Sequence, residues 1–223
     1  MVKRALKRLG FILAVYLVVV DCVQHKQLTG SSHMKDLVGP SVLYIAITTP
    51  DGIPYHGGTG FEVEDSSGHR FIVTNKHVCG IFTGGVAQLQ TEEGKVYFRH
   101  ILKVSDIFDL CLIDSIDEVP ALHLGKKISL LDKIFIVGHP FLHPLKVTSG
   151  NVIRSLVITT TEDGITSTGS FASLETNAEA HPGNSGSPVV NPKGEVVGVL
   201  FAGTADGETS FVVPLDDLKD FLR

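Results

Sequence analysis

Short apolar segments alternate with turn residues along most of the chain. From Leu37 onward, runs rich in valine, isoleucine, threonine and phenylalanine are bounded by glycine, proline, asparagine, aspartate or serine. Such runs are typical of β-strands, because β-branched and aromatic side chains suit a pleated, half-buried surface. The predicted strands are Ser41–Thr49, Thr59–Glu64, Arg70–Thr74, Val86–Gln90, Lys95–Arg99, Ile101–Val104, Leu110–Ile113, Lys133–Val137, Val147–Ser149, Asn151–Thr160, Ser170–Thr176, Pro188–Asn191, Glu195–Phe201 and Ser210–Val213. Turn signals about every 8–12 residues predict an all-β barrel or sandwich.

A break near residue 120 divides these strands into two similar groups. The first group covers about residues 37–120 and the second about residues 121–214, within one domain over residues 37–223. Only residues 215–223 have a helical pattern, because their leucine and phenylalanine residues recur at helical spacing and two aspartates near the start suit the helix dipole.

The N-terminal residues 1–22 have the pattern of a targeting segment. Four basic residues precede an uninterrupted apolar run over residues 9–20, which ends at Asp21. A membrane-spanning helix needs about 20 apolar residues, so this shorter run predicts a secretory signal peptide or a short signal anchor. We therefore expect export of the domain, with membrane anchoring through residues 9–20 as the open alternative to cleavage. Residues 23–36 are mostly polar and predict a linker.

The composition supports a globular domain and excludes some partners. The chain has 223 residues, of which 43% are hydrophobic, and a formal charge of −5. Without the four basic residues and one aspartate of the targeting segment, 15 basic and 23 acidic residues remain, a charge of −8. No basic patch offsets this charge, so nucleic acid is not an expected partner.

The cysteine and histidine spacing predicts no metal site. The chain has three cysteines, Cys22, Cys79 and Cys111, and no Cys-x-x-Cys or His-x-x-x-His spacing. A bridge between Cys79 and Cys111 can form, but two buried thiols are the expected outcome.

A serine flanked by glycines lies in the segment 180–188, directly before an apolar strand. The proline and glycines predict a tight turn that exposes the Ser185 hydroxyl. Such a turn can direct the backbone N–H groups of Gly183 and Ser185, on either side of Asn184, toward one point, which is how an oxyanion hole is built. Taken alone, the segment fits an ordinary turn between two strands equally well.

Serine is a weak nucleophile unless a neighbouring base takes its proton. Among ten histidines, His77 is the best candidate, because it follows the buried-type strand 71–74. A basic imidazole needs its other nitrogen held by an acceptor. Asp109 fits this role, since it precedes the apolar run 110–113. The base must be neutral, so we expect kcat/KM to fall at acid pH.

The residues around these three positions resemble the trypsin-like (chymotrypsin-fold) serine proteases. Within that family they are most similar to the secreted bacterial branch that includes HtrA-type and glutamyl-endopeptidase-like enzymes. The resemblance is collinear over about residues 40–215 and is therefore specific. The matching motifs are Gly58-Thr-Gly-Phe61, Thr74-Asn-Lys-His-Val78, Asp109-Leu-Cys-Leu-Ile113, Val137-Gly-His-Pro140, Val147-Thr-Ser-Gly-Asn-Val152, Pro182-Gly-Asn-Ser-Gly-Ser-Pro188 and Gly194-Glu-Val-Val-Gly198.

The resemblance implies two packed six-stranded antiparallel β-barrels with an active site in the crevice between them. It implies a serine endopeptidase in which Ser185 attacks a peptide carbonyl, His77 acts as base and then acid, and Asp109 orients the imidazole. Its substrate would be a protein or peptide, and it would need no cofactor. The substrate-binding candidates by position are Glu179, His181, Phe201, Ala202 and Gly203.

Several positions depart from the family pattern. Ser187 stands where the commonest form has glycine, and Phe201 where digestive proteases place a serine that supports the catalytic aspartate. Leu200 replaces the histidine with which glutamyl endopeptidases bind acidic residues, which argues against acid specificity. Glu179 matches the acidic residue that makes trypsin prefer lysine or arginine, although we expect it to cap a surface loop. No PDZ-like segment follows residue 223, so we expect the protease domain without that module.

Other functions fit the sequence less well than a protease does. The departure at Phe201 leaves open a catalytically inactive trypsin-fold binding module. An esterase of the α/β-hydrolase type is disfavoured, because its nucleophile precedes a helix and its triad runs in the order serine, acid, histidine. Here a strand follows Ser185 and the order is the opposite.

Overall fold

The computed structural model describes residues 30–48, 54–80, 85–142, 144–160 and 169–223. In these ranges the chain forms strands β1–β13 and helices α1–α3, with short 3₁₀ helices over Gly39–Ser41 and Pro140–Leu142. The strands are β1 (Val42–Thr48), β2 (Pro54–Glu64), β3 (Arg70–Thr74), β4 (Val86–Gln90), β5 (Val96–Val104), β6 (Cys111–Ile113), β7 (Leu122–His123), β8 (Lys133–Gly138), β9 (Lys146–Thr160), β10 (Gly169–Thr176), β11 (Pro188–Val190), β12 (Val196–Gly203) and β13 (Ser210–Pro214). The helices are α1 (residues 30–38), α2 (Lys76–Cys79) and α3 (Leu215–Leu222).

The first seven strands form one sheet in the order β1-β4-β5-β6-β3-β2-β7. β1 also pairs with β2, so β1–β6 close into a ring, and β7 adds in parallel to the end of β2. β2 can pair with β1, β3 and β7 because it is eleven residues long. Its earlier part pairs with β1, and Phe61–Glu64 pair with β3.

The remaining strands form a closed barrel in the order β10-β13-β12-β11-β8-β9. β11 begins three residues after Ser185 and pairs with β12 and β8, so it holds the Ser185 turn at the end of the second barrel. The predicted all-β fold of two barrels with a short C-terminal helix is confirmed.

Some strand boundaries differ from the prediction. β5 runs unbroken over Val96–Val104, because a register shift after Ile101 lets the ladder continue. β9 also runs without the predicted break at Gly150, because Gly150 pairs with Ile134 of β8. The two-residue strand Leu122–His123 was missed, because so short a strand carries no sequence pattern.

The structure corrects the predicted linker over its described part. Residues 30–38 form α1, while residues 1–29, including the predicted targeting segment, lie outside the described residues. Met34 and Val38 are 2% and 0% exposed. They are four positions apart and share one helix face, which packs into the core.

One apolar cluster, the shared core, lies between the two barrels. It contains Phe61 and Val73 from the first barrel, Val137 and Val199 from the second, and Leu218 from α3. All five side chains are fully buried. Two further clusters fill the first and second barrels separately. The shared core therefore fixes how the ends of β2, β3 and β8 meet.

The helix α3 packs against β12 and β13 through its apolar face. Its buried residues are Leu215, Leu218, Phe221 and Leu222, at the spacing noted in the sequence. None of the helices in the described ranges has both the length and the apolar content needed to cross a membrane.

Candidate active site

Two paired strands of the first barrel bring His77 and Asp109 together. β3 and β6 are antiparallel, with Thr74 opposite Cys111, so the residues after β3 meet those before β6. The Nδ1 atom of His77 lies 2.6 Å from Oδ2 of Asp109. The backbone N–H of His77 donates to Oδ1 of the same carboxylate at 3.0 Å.

The environment of Asp109 orients the His77 ring. Asp109 is 7% exposed, and the buried side chain of Asn75 donates to its backbone carbonyl at 2.8 Å. A carboxylate facing Nδ1 favours the tautomer that has its proton on this atom, which leaves Nε2 able to accept one. The His77 side chain is 29% exposed, so the ring is only partly covered by the surrounding protein.

A disulfide joins Cys79 in α2 to Cys111, the first residue of β6. This corrects the prediction of two buried thiols. The pairing of β3 with β6 brings their Cα atoms within 6.5 Å, although 32 positions separate them in the chain. Cys79 follows His77 by two positions and Cys111 follows Asp109 by two, so the bridge connects the segments that carry the pair.

Ser185 directly follows a turn, His181–Asn184, that requires glycine at its third position. The Asn184 N–H donates to the His181 carbonyl at 3.0 Å. Gly183, the third residue of this turn, has a φ of +94°, as a type II turn requires. A Cβ on Gly183 would also lie 2.4 Å from the His139 carbonyl oxygen.

Two backbone N–H groups of the turn are free to bind an oxyanion. Within the described residues, the N–H groups of Gly183 and Ser185 donate no hydrogen bond. The Pro182 carbonyl accepts a hydrogen bond from the Phe141 N–H. Because the carbonyl and N–H of one trans peptide point in opposite directions, this bond directs the Gly183 N–H away from Phe141. Preorganised donors of this kind stabilise the oxygen of a tetrahedral intermediate.

The backbone at Ser185 contacts the first barrel beside His77. The Thr59 N–H donates to the Ser185 carbonyl at 2.8 Å. A Cβ on Gly58 would lie 2.9 Å from this carbonyl oxygen and 2.7 Å from Cγ2 of Val78, so the three segments meet without room for a side chain. Val78 follows His77, which places His77 and Ser185 at the same junction between the barrels.

The hydroxyl of Ser185 and the ring of His77 form no hydrogen bond in the part of the chain that the structure describes. Contacts of this type are often long without substrate and tighten in the complex. The structure thus shows the oriented His77–Asp109 pair and the turn of Ser185 at one junction, and the complete triad stays a prediction.

A pocket of about 240 Å³ opens beside Ser185. Three predicted substrate-binding residues, His181, Ala202 and Gly203, line it. The full lining is Ala180, His181, Pro182, Ser185, Leu200, Ala202, Gly203, Thr204 and Ala205. This lining contains no aspartate, glutamate, lysine or arginine.

Two of the substrate-binding candidates, Glu179 and Phe201, do not line this pocket, and Glu179 lies at the surface, as expected for a residue of a surface loop. The Glu179 carboxylate lies 3.0 Å from Nζ of Lys146 and 2.7 Å from Nε2 of His181, and these hydrogen bonds hold its pKa below the usual value. It is engaged at the surface and does not line the pocket. Phe201 is buried in the shared core, with its ring centroid 5.4 Å from that of Phe171.

Acidic groups outside the pair have structural roles. Glu62 is fully buried, and burial raises its pKa from 4.5 to about 7, although the Arg70 guanidinium lies 3.3 Å away. Its Oε2 accepts the Ile116 N–H at 3.2 Å, which connects β2 to the residues after β6.

In the described ranges, no cluster of three or more histidine, cysteine, aspartate or glutamate residues could hold a metal ion.

Sequence reasoning missed two residues of the site. Asn75 holds the backbone of Asp109, and Thr59 holds the carbonyl of Ser185. Both lie inside motifs noted in the sequence, Thr74-Asn-Lys-His-Val78 and Gly58-Thr-Gly-Phe61, so their adjacency to site residues was the available signal.

Known proteins share both sequence and fold with this chain. A family model described as a trypsin-like peptidase domain matches residues 58–199. Serine protease HTRA4 of Mus musculus is 31% identical over 199 residues, which cover 83% of this chain and 39% of that protein. Mitochondrial serine protease HTRA2 of Bos taurus is 30% identical over 193 residues, which cover 82% of this chain and 40% of that protein. The chain thus spans about two fifths of the length of these curated relatives.

Solved structures agree with the fold. The active form of the Rv3671c protease from M. tuberculosis has a TM-score of 0.71 at 20% identity, covering 85% of this chain and 82% of that one. The HtrA-type protease AlgW with a tripeptide has a TM-score of 0.67 at 20% identity, covering 86% and 62%. The family match spans more than half of the chain and includes His77, Asp109 and Ser185. This chain belongs to the trypsin-like peptidase family and is a homologue of the HtrA serine proteases.

Proposed function

We propose that this protein is an exported serine endopeptidase that cleaves peptide bonds through Ser185, His77, Asp109 and an acyl-enzyme intermediate. The observation that carries the proposal is the 2.6 Å contact between His77 Nδ1 and Asp109 Oδ2, at the junction where Thr59 holds the Ser185 carbonyl. An oriented imidazole next to a serine with free backbone N–H donors is the arrangement that acyl transfer requires. The family membership supports the same class of reaction.

In the proposed reaction, Ser185 Oγ attacks the carbonyl carbon of the substrate while His77 Nε2 takes the hydroxyl proton. Asp109 stabilises the resulting imidazolium through the contact to Nδ1. The negative oxygen of the tetrahedral intermediate binds between the N–H groups of Gly183 and Ser185. His77 then gives its proton to the leaving amine, and water repeats the steps to release the acid and restore Ser185.

The pocket beside Ser185 supports a preference for uncharged residues before the cleaved bond. Leu200, Ala180 and Ala202 give it apolar walls, and it holds about 240 Å³. A charged substrate side chain would lose its water there with no aspartate, glutamate, lysine or arginine in the lining to pair with it, which is costly. We therefore expect small or medium-sized uncharged side chains at this position.

The reaction is tested on the full 223-residue chain, purified in a nonionic detergent. We expect cleavage of casein and labelling of Ser185 by a fluorophosphonate probe. Ser185→Ala should abolish both, and His77→Ala should slow turnover by several powers of ten. Ser66→Ala, in an exposed turn, is the matched control and should behave as the wild type. Absence of both cleavage and labelling in the wild type would instead favour the inactive binding module.

Export is tested separately from catalysis. A fusion of the C-terminus to alkaline phosphatase, which is active only outside the cytoplasm, should be active in a bacterial host. Deletion of residues 9–20 should abolish that activity, because the apolar run is the predicted targeting signal. Sequencing of the mature N-terminus then distinguishes a cleaved signal peptide from a retained anchor. An active phosphatase after the deletion would contradict this part of the proposal.

A further inference from the structure

Thr59 uses all its polar groups at the junction between the barrels. It lies on β2 and is fully buried. Its N–H donates to the Ser185 carbonyl at 2.8 Å, and its hydroxyl donates to the Gly183 carbonyl at 2.8 Å. The same hydroxyl oxygen accepts the His139 N–H at 3.0 Å, and the Thr59 carbonyl accepts the Thr74 hydroxyl at 2.7 Å.

Two of these contacts hold Gly183 and Ser185, the residues whose N–H groups would bind the oxyanion in the proposed reaction. The bond to Ser185 is made by the backbone and would persist with any side chain at position 59. The bond to Gly183 needs the hydroxyl. Gly183 has a φ of +94° and no side chain, so its peptide groups have more conformational freedom than those of other residues. An external restraint therefore matters most at Gly183.

We propose that Thr59 is a positioning residue for the oxyanion hole, and that it acts through the Gly183 carbonyl. This inference rests on the proposed function. The hydroxyl prevents the Gly183 carbonyl from rotating into the crevice and so keeps the turn that presents the Gly183 N–H. A restraint of this kind stabilises the transition state and has little effect on binding of the substrate in its ground state.

The test compares Thr59→Val, Thr59→Ala and Thr59→Ser in the full-length protein. Rates are measured per active site, counted by complete fluorophosphonate labelling, on a fluorogenic peptide with valine before the cleaved bond. We expect the valine and alanine variants to lose about 10- to 100-fold in kcat with KM nearly unchanged, since removal of an oxyanion donor itself costs about 10²–10³-fold. The serine variant keeps the hydroxyl and should stay within about threefold of the wild type.

A second measurement separates positioning from stability. A peptide boronate forms a tetrahedral adduct that occupies the oxyanion hole, so its affinity should fall in the valine and alanine variants by the same factor as kcat. A purely structural role would lower the unfolding temperature and leave kcat and boronate affinity per active site unchanged. If the valine variant does not fold, the serine and alanine variants decide, because they differ by one oxygen atom.

The outcomes are distinguishable from failure of the proposed function. A wild-type protein that neither labels nor cleaves would remove the serine protease proposal itself. An active wild type with equal kcat in the serine and alanine variants would overturn only the role of Thr59.

Discussion

The carboxylate of Asp109 contacts His77 twice, once at the ring and once at the backbone. The bond to the backbone fixes the carboxylate relative to α2, and the bond to Nδ1 fixes the ring. Together they leave Nε2 as the ring nitrogen that does not face the carboxylate, and the proposed reaction assigns this nitrogen to Ser185. The proposed role of Asp109 depends on a carboxylate oxygen facing Nδ1 of His77. A single substitution can replace this oxygen with an N–H donor.

Asp109→Asn is expected to lower kcat by about 10³–10⁴-fold, because an amide N–H facing Nδ1 would favour the wrong tautomer. KM should change little, since the pocket is untouched. Steady-state kinetics on a fluorogenic peptide measure both quantities. Asp114→Asn, at an exposed position, is the control. An Asp109→Asn variant with wild-type kcat would show that another group orients the ring.

Glu62 predicts a pH dependence of stability. Its pKa in the folded protein is raised from 4.5 to about 7, so the folded state binds this proton more tightly than the unfolded state. The resulting stabilisation is complete below about pH 4.5 and is lost as the pH rises through 7. At one pKa unit per about 1.4 kcal/mol, the loss is at most about 3–4 kcal/mol.

Urea denaturation between pH 5 and pH 8 checks this expectation. The free energy of unfolding should fall with pH in the wild type and fall less in Glu62→Gln, which cannot ionise. Glu64→Gln, on the same strand but partly exposed, should keep the wild-type slope. Parallel slopes in the wild type and Glu62→Gln would contradict the raised pKa.

At the scale of elements, the disulfide connects α2 to β6 and reinforces a contact that the β3–β6 ladder already makes. Both half-cystines are fully buried, so the bridge is part of the first-barrel core. Of the two elements it joins, α2 carries His77, and β6 begins two residues after Asp109.

The double variant Cys79→Ala/Cys111→Ala should lose about 3–4 kcal/mol of unfolding free energy, as expected for opening a loop of about 30 residues. Urea denaturation with and without dithiothreitol measures this loss. The reductant should destabilise the wild type and have no effect on the double variant. Cys22→Ala is the control and should respond as the wild type does. Equal stability of the oxidised wild type and the double variant would argue against the bridge.

Sequence patterns predict some strands of this fold and miss one of its helices. The predicted bounds of β3 and β4 agree with the structure, because each is a short alternating or apolar run between turn residues. The helix α1 was missed, because over residues 30–38 only Met34 and Val38 face the core, and two apolar positions are too few to show a helical pattern.

For the whole molecule, the shared core joins the two barrels, and we expect them to unfold as one cooperative unit. Phe61 is fully buried in it, whereas Phe98 on β5 is 60% exposed. Phe61→Ala should cost about 3–5 kcal/mol through lost burial and the cavity left behind. Phe98→Ala should cost far less.

Circular dichroism and peptidase activity, followed together in urea, measure this cooperativity. We expect one coincident transition for both signals in the wild type and in Phe61→Ala, shifted to lower urea in the variant. Loss of activity well before loss of secondary structure would show that the barrels separate before they unfold.

The sequence by itself determined the all-β class, the two groups of strands and the tight turn at Ser185. It also identified His77 and Asp109 as candidate site residues, because each lies beside a predicted strand. These features depend on local preferences, since strand propensity, glycine turns and helix spacing act between residues close in the chain. Only the tertiary structure decided the Cys79–Cys111 bridge, the bonds of Thr59 to Gly183 and Ser185, and the pairing of Glu179 with Lys146. Each of these depends on which strands pair and how the barrels pack, and such long-range contacts leave no trace in a local pattern.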